Sequence, residues 1–229
     1  EDEAREAFKK LEEGDKASLE LWEIFRELCL EEFRRIYEIL DVAFDTYHGE
    51  AFYNPLLQET ITKLENGKLT KMSDGALIVD LEKYKLPPIL LRKSDGTTTY
   101  HTRDLAAAFY RLRHYKPAKI IYVVGSEQKL HFQQLFTVLE LAGVPREMLV
   151  HVDFGLFRFP EGKMSTRKGN VIFLEEVLDK AVTLARQIME EKNPSLQNKE
   201  EIAKHVGIGA ILFADLSTDR IRDVEFSWE

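Results

Sequence analysis

Thr102–Phe154, TRDLAAAFYRLRHYKPAKIIYVVGSEQKLHFQQLFTVLELAGVPREMLVHVDF, changes its periodicity three times. Thr102 can cap a helix through Arg113, Lys119–Val124 is a continuous apolar run that Gly125 ends, and Glu127–Leu141 returns to helical spacing. After Gly143-Val144-Pro145 a second apolar run covers Met148–Phe154. Helix, buried strand, helix, buried strand is the alternation of a parallel sheet covered on both faces, so the expected fold class is α/β. In such sheets ligands bind beyond the carboxyl ends of the strands. Gly125-Ser126-Glu127-Gln128 and the segment after Phe154 are therefore the first places to look for a site.

Upstream the pattern differs. Trp22, Phe25, Cys29, Phe33, Ile36 and Leu40 recur at spacings of three and four, which predicts one amphipathic helix over residues 18–40. Such an aromatic stripe reads as core rather than as a cofactor box. Residues 1–13 are also expected to be helical, with a break at Gly14-Asp15. Asn54 reads as the N-cap of a short helix with Pro55 in its first position, ending near Asn66-Gly67. Ala76–Leu81 and Ile89–Lys93 read as strands, and Ser94-Asp95-Gly96 as a hairpin turn into Thr97–Tyr100. Downstream, Leu174–Glu191 and Glu200–Phe213 are helical, separated by Asn193-Pro194.

Composition excludes several classes. The 229 residues are 44% hydrophobic and 31% charged, which fits a globular protein and not a collagen-like or disordered one. No run of eighteen apolar residues occurs, so no membrane partner is expected, and EDEAREAFKK does not resemble a signal peptide. A single cysteine, Cys29, can make neither an internal disulfide nor a zinc site by itself, and a reducing, cytoplasmic setting is expected. The net charge of −8 is local: residues 1–50 carry 16 Asp/Glu against 7 Lys/Arg, leaving +1 for the rest. Charge thus neither excludes nor demands a nucleic-acid partner.

One loop carries the chemistry. Glu161–Asn170 spells EGKMSTRKGN, and Arg158, Lys163, Arg167 and Lys168 place four cations within eleven residues, flanked by Gly162 and Gly169. Four scattered cations alone fit a solvated basic loop. The order Lys-Met-Ser-x-[Lys/Arg] beside a strand end points instead to a triphosphate, whose developing charge fixed cations stabilise. Lys71-Met72-Ser73 repeats three letters of that order, but Asp74-Gly75 follows, and this copy reads as a hairpin corner.

Gly162–Asn170 resembles the second signature loop (KMSKS-type) of class I aminoacyl-tRNA synthetases, in the form carried by the arginyl-tRNA synthetases. Asp95–Asp104 (DGTTTYHTRD), Gly125-Ser126-Glu127-Gln128 followed by His131-Phe132, and His48-Gly49-Glu50 are similar to the same family's motifs. The resemblance runs nearly the whole chain. It implies a partial Rossmann-like parallel sheet, the second half of the catalytic domain, with a mixed α+β insertion and C-terminal helices. Residues 1–96 would be the connecting insertion, 97–173 the second half of the nucleotide-binding fold, and 174–229 the stem-contact helices leading to an anticodon-binding domain. It further implies an enzyme that joins arginine to tRNA(Arg) through arginyl-adenylate. ATP would be a substrate bringing its own Mg2+, with no protein-bound metal.

The resemblance also implies roles. Asp104 would hold the guanidinium, with Glu50 as a second carboxylate, the Tyr100 hydroxyl beside it, and Gln128 at the amino-acid end. Guanidinium is a planar fork of five donors suited to bidentate carboxylates, and lysine's point charge cannot satisfy that geometry. Tyr100 and Asp104, four apart at a helix start, can face one pocket. Singly, Asp104 also fits a helix-start anion and Glu50 a surface residue. Gly125 and Glu127 would meet the nucleotide, and Lys163, Met164 and Ser165 would close over it. Lys163, Arg167 and Lys168 are the candidate catalytic cations, the choice between the last two staying open. His131 is placed at the nucleotide, with the helix–sheet contact as its alternative, and His101, His114, His151 and His205 read as structural or exposed. No His-x-Gly-His loop, the family's other phosphate-binding element, occurs in the chain. Losing two donors worth ~3 kcal/mol each would slow the reaction by roughly four orders of magnitude, so the chain alone is expected to be inactive. The alternatives are a non-catalytic synthetase-like binding module and another class I synthetase, such as one for cysteine, which the missing zinc ligands disfavour.

Overall fold

The computed structural model describes residues 2–158 and 172–225, and the chain divides into two compact units. Residues 1–46 and 173–211 form one unit, and residues 47–172 and 212–229 the other.

The first unit is helical. α1 spans Asp2–Glu12 and α2 spans Lys16–Ile39, with the Asp15 carboxylate accepting from the Ser18 N–H at 2.9 Å as its cap. α6 (Leu174–Lys192) buries Val177, Leu178, Ala181 and Ala185 on one stripe, and α7 (Lys199–Leu216) buries Ala203, Gly207 and Ile208. Small residues let the two backbones meet. A Cβ at Gly207 would sit 2.6 Å from the Val182 backbone nitrogen, so no larger residue fits without moving a helix. The aromatic stripe of α2 behaves differently from its expectation as core. None of its residues is buried; Phe25, Cys29 and Phe33 are exposed, while Trp22 and Ile36 are half-buried. Periodicity dictates which face is apolar, but burial requires an element to lie against that face.

The second unit holds a continuous core. A 3-10 helix, Glu50–Leu56, runs into α3 (Leu57–Asn66). The helix therefore begins earlier than Asn54-Pro55 suggests, and the Asn54 side chain does not cap it. Its Oδ1 accepts from the Arg103 Nε at 3.2 Å instead. β1 (Thr70–Ser73), β2 (Ala76–Val79) and β3 (Ile89–Arg92) form an antiparallel meander, with a turn at Asp74-Gly75, both at positive φ. Lys71-Met72-Ser73 thus lies in a strand rather than at the corner, and Lys71 pairs with Asp80. The hairpin into Thr97–Tyr100 shrinks to one bridge, Arg92 with Thr98, because Tyr100 already opens the next helix.

α4 (Tyr100–Tyr115), β4 (Ile120–Gly125), α5 (Lys129–Leu141) and β5 (Leu149–Phe154) follow, β4 and β5 pairing in parallel from Ile120–Leu149 to Gly125–Phe154. Leu64, Leu77, Leu91, Leu105, Phe132 and Leu149 join these elements to the meander in one cluster. Each fully buried leucine there contributes about 1.5–3 kcal/mol. β4 was expected to be covered on both faces; Ile121 and Val123, however, are 57% and 66% exposed. Only the Ile120 and Tyr122 face packs into the core. Last come the short parallel pair β6 (Phe157–Arg158) and β7 (Val224–Glu225). Among the described residues no helix is long and apolar enough to cross a membrane.

Candidate functional site

The site begins with the way α4 is fastened. Thr102, fully buried, is not its cap: the Thr102 hydroxyl donates to the Leu91 carbonyl at 2.6 Å, and the Thr99 hydroxyl donates to the Leu90 carbonyl. Two hydroxyls thus clip the first turn of α4 onto β3, and the helix starts at Tyr100. That turn presents Tyr100, His101 and Asp104. The Tyr100 ring is half exposed and stacks on the His101 ring at 4.0 Å between centroids. Both rings lie near His131 of α5, at 5.2 and 5.1 Å.

His131 Nε2 and Asp104 Oδ2 are 2.8 Å apart. An ionised carboxylate only accepts, so Nε2 carries the proton in this contact. His101 and His131 are each about nine-tenths buried, and the Nδ1 of each has no partner among the described residues. Burial pushes His101 down to about 4, the nearby His131 charge adds to this, and Asp104 opposes it. His101 is therefore neutral at physiological pH and buried among rings; of the structural and exposed readings, the structural one holds for it.

α5 brings the rest. After β4 ends at Gly125, a 3-10 turn over Ser126–Gln128 leads into α5. Gln128 is exposed at the residue before α5, three positions ahead of His131, and Glu127 is exposed beside it. Gly125 stands opposite Phe154 in the register, so both strands end together. At that end the Lys129 Nζ lies 2.8 Å from Asp153 Oδ2, and this ammonium holds the Asp153 carboxyl below its usual range. Arg220 donates to the Asp153 carbonyl as well. The Lys129–Asp153–Arg220 group was missed in the sequence, although Asp153 at a strand's carboxyl end was its one available sign.

Beyond β5 the chain is pinned by the segment ahead of β7. The Gly155 N–H donates to the Arg220 carbonyl at 2.7 Å, and a Cβ at Gly155 would fall 2.2 Å from the Arg222 carbonyl oxygen. The Leu156 N–H donates to Asp223 Oδ1 at 2.9 Å, and Arg158 pairs with Asp223 Oδ2. Arg158 is thereby engaged at the base of the cationic loop. Lys163, Met164, Ser165, Arg167 and Lys168 lie outside the described residues.

The structure thus brings Tyr100, Asp104 and His131 together, with Gln128 three positions before His131 at the residue preceding α5. Glu50 opens the 3-10 helix and is exposed, and no hydrogen bond or ion pair joins it to Tyr100, Asp104 or Gln128. That helix packs Tyr53 on a different face of α4, against Ala106 and Ala107. A hollow of about 100 Å³ lies on the same side, between α3 and α4, lined by Glu59, Lys63, Phe109 and Arg113 among others. The Glu59–Arg113 ion pair at 2.9 Å belongs to that hollow, which contains none of the expected site residues.

The family model described as "tRNA synthetases class I (R), catalytic domain" matches residues 1–228. The chain belongs to this family. An arginine–tRNA ligase of Clostridioides difficile is 53% identical over 230 residues, covering all of this chain and 41% of the relative. One from Bacillus cereus is 54% identical with the same coverage. The arginyl-tRNA synthetase of Plasmodium falciparum superposes with a TM-score of 0.84 at 26% identity, over 97% of this chain and 38% of that one. The Thermus thermophilus arginyl-tRNA synthetase gives 0.73 at 26% identity, over 95% and 45%. The chain therefore spans about two fifths of the length of these curated relatives. Its α/β architecture is that of the class I catalytic domain.

Proposed function

We propose that this chain is part of an arginine–tRNA ligase, which activates arginine with ATP to arginyl-adenylate and transfers it to tRNA(Arg). The observation that carries the reading is the contact between Asp104 and His131. It sets the Tyr100–Asp104 turn of α4 against the first turn of α5, at the carboxyl end of β4, in a chain of this family. There a carboxylate, a phenol and the Gln128 amide can meet the two ends of one arginine. Asp104, partly exposed, accepts from the guanidinium, and the Tyr100 hydroxyl lies beside it; Glu50, whose 3-10 helix packs on a different face of α4, is left out of this pocket. Gln128 binds the amino-acid end.

ATP binds across Gly125 and Glu127 and brings its own Mg2+. Lys163, Met164 and Ser165 close over the nucleotide, while Lys163 and one of Arg167 and Lys168 steady the phosphate charge. In the same reading residues 1–96 are the connecting insertion, 97–173 the second half of the nucleotide fold, and 174–229 the stem-contact helices. The remaining parts of the protein supply the other phosphate-binding loop and the anticodon contacts, and the enzyme works in the cytoplasm.

The test is arginine-dependent ATP–pyrophosphate exchange by the full-length protein with tRNA present. Exchange with arginine and none with lysine is expected. Asp104→Asn should raise the KM for arginine roughly a hundredfold, since losing a charged partner of a guanidinium costs about 3 kcal/mol. Exchange driven by another amino acid, or an unchanged KM in the variant, would reject the assignment.

A further inference from the structure

We infer that His131 is a positioning residue for Asp104 rather than a contact to ATP, an inference that rests on Asp104 being the guanidinium ligand. The geometry supplies the reason. The His131 ring is nine-tenths buried, and its Nε2 is engaged at 2.8 Å with Asp104 Oδ2, so only Nδ1 remains to offer anything else. The Asp104 side chain keeps 35% of its surface exposed, against 9% for that of His131. The histidine therefore stands behind the carboxylate and holds it from the buried side. Oδ1 and the second lone pair of Oδ2 stay available for a planar donor arriving from solvent.

The held carboxylate is worth more than a free one. Asp has two rotatable side-chain bonds, and a guanidinium fork needs both oxygens within its plane. A side chain already fixed by a donor behind it loses less conformational freedom when the substrate binds. The surroundings fix the donor in turn: His131 packs edge-on against Phe132 at 5.1 Å and beside the Tyr100 and His101 rings. Tyr100 and Asp104, both expected at the arginine, thus share one histidine as their support. A change at His131 should be felt at the amino acid and not at the nucleotide.

Two near-isosteric variants of the full-length protein separate the roles. The Gln side chain can place an N–H where Nε2 stands, whereas Asn reaches only as far as Nδ1. In exchange assays with tRNA present, His131→Asn should raise the KM for arginine roughly tenfold, leave the KM for ATP within about twofold, and change kcat little. His131→Gln should recover most of the lost arginine affinity. A rise in the KM for ATP, an unaltered arginine KM in His131→Asn, or equal losses in the Gln and Asn variants would each overturn the inference. Should the Asn variant melt at a much lower temperature, His131→Leu, of similar volume and without a donor, takes its place: an arginine KM well above that of His131→Gln supports the inference, and equal values reject it. Asp104→Asn run alongside keeps the two claims apart. If that variant binds arginine normally, the pocket assignment fails; if it does not while His131→Asn does, only the positioning role fails.

Discussion

Helices α2 and α4 carry equally clear helical periodicity, yet they end in opposite conditions. α4 buries His101, Thr102, Leu105, Ala106, Ala107 and Ala108, and its first turn is clipped to β3 by two hydroxyl hydrogen bonds. α2, half as long again, buries none of its residues, and Leu21, Ile24, Phe25, Leu28 and Phe33 are exposed. An apolar stripe at 3.6-residue spacing says that a helix has a face to hide. It does not say what hides it. The residues of α4 proposed to hold arginine sit on the turn that is clipped to β3, and a carboxylate held at a defined place needs a backbone that does not move.

The widest gap between the two helices should be seen in their leucines. Leu105 of α4 is completely buried in the central cluster. Leu105→Ala removes that contact and leaves a cavity, so unfolding free energy should fall by about 2–5 kcal/mol in denaturant titration of the full-length protein. A loss below about 1 kcal/mol would mean that α4 is not the fixed element its burial implies.

The parallel unit was the most legible part of the sequence, because strands buried on at least one face are short apolar runs that glycine and proline punctuate. β4, α5 and β5 lie within a residue or two of where their patterns put them. Errors arose wherever a polar side chain found a partner far along the chain. Thr102 has the right chemistry for a cap, yet it donates to Leu91; Asn54 likewise accepts from Arg103. Arg158 reads as one of four loop cations, and it pairs with Asp223, 65 positions away. The candidate site divides in the same way. Tyr100, Asp104 and Gln128 follow from motif and spacing, but the pairing of Asp104 with His131 crosses 27 positions and two elements, which no local pattern encodes. His101 gave no sign at all. A lone histidine on a helix looks the same in sequence whether it is wet or stacked on one ring and tilted against another.

That buried histidine sharpens the comparison through pH. In the unfolded chain His101 titrates near 6.5, whereas in the folded protein burial holds it at about 4. Between those values the unfolded state binds the extra proton, so stability falls as pH drops from about 6.5 towards 4 and is fully retained above that window. The loss attributable to this one group should be on the order of 1–3 kcal/mol. Thermal melts of wild type and His101→Gln across pH 4–7 should converge at the acidic end, the variant showing the flatter profile. Parallel profiles would place the acid sensitivity elsewhere.

The smallest effect belongs to α2, and it is the one that breaks the comparison most readily. Leu28 is 54% exposed, and Leu and Ala have similar helix propensity, so Leu28→Ala has little packing to lose. A change within about 0.5 kcal/mol is expected, ordinary for a surface position. The same substitution in the full-length protein reads out what lies against the helix there. A loss approaching that of Leu105→Ala would mean that the apolar face of α2 is a buried surface after all, and that the contrast with α4 is one of neighbours rather than of the helices themselves.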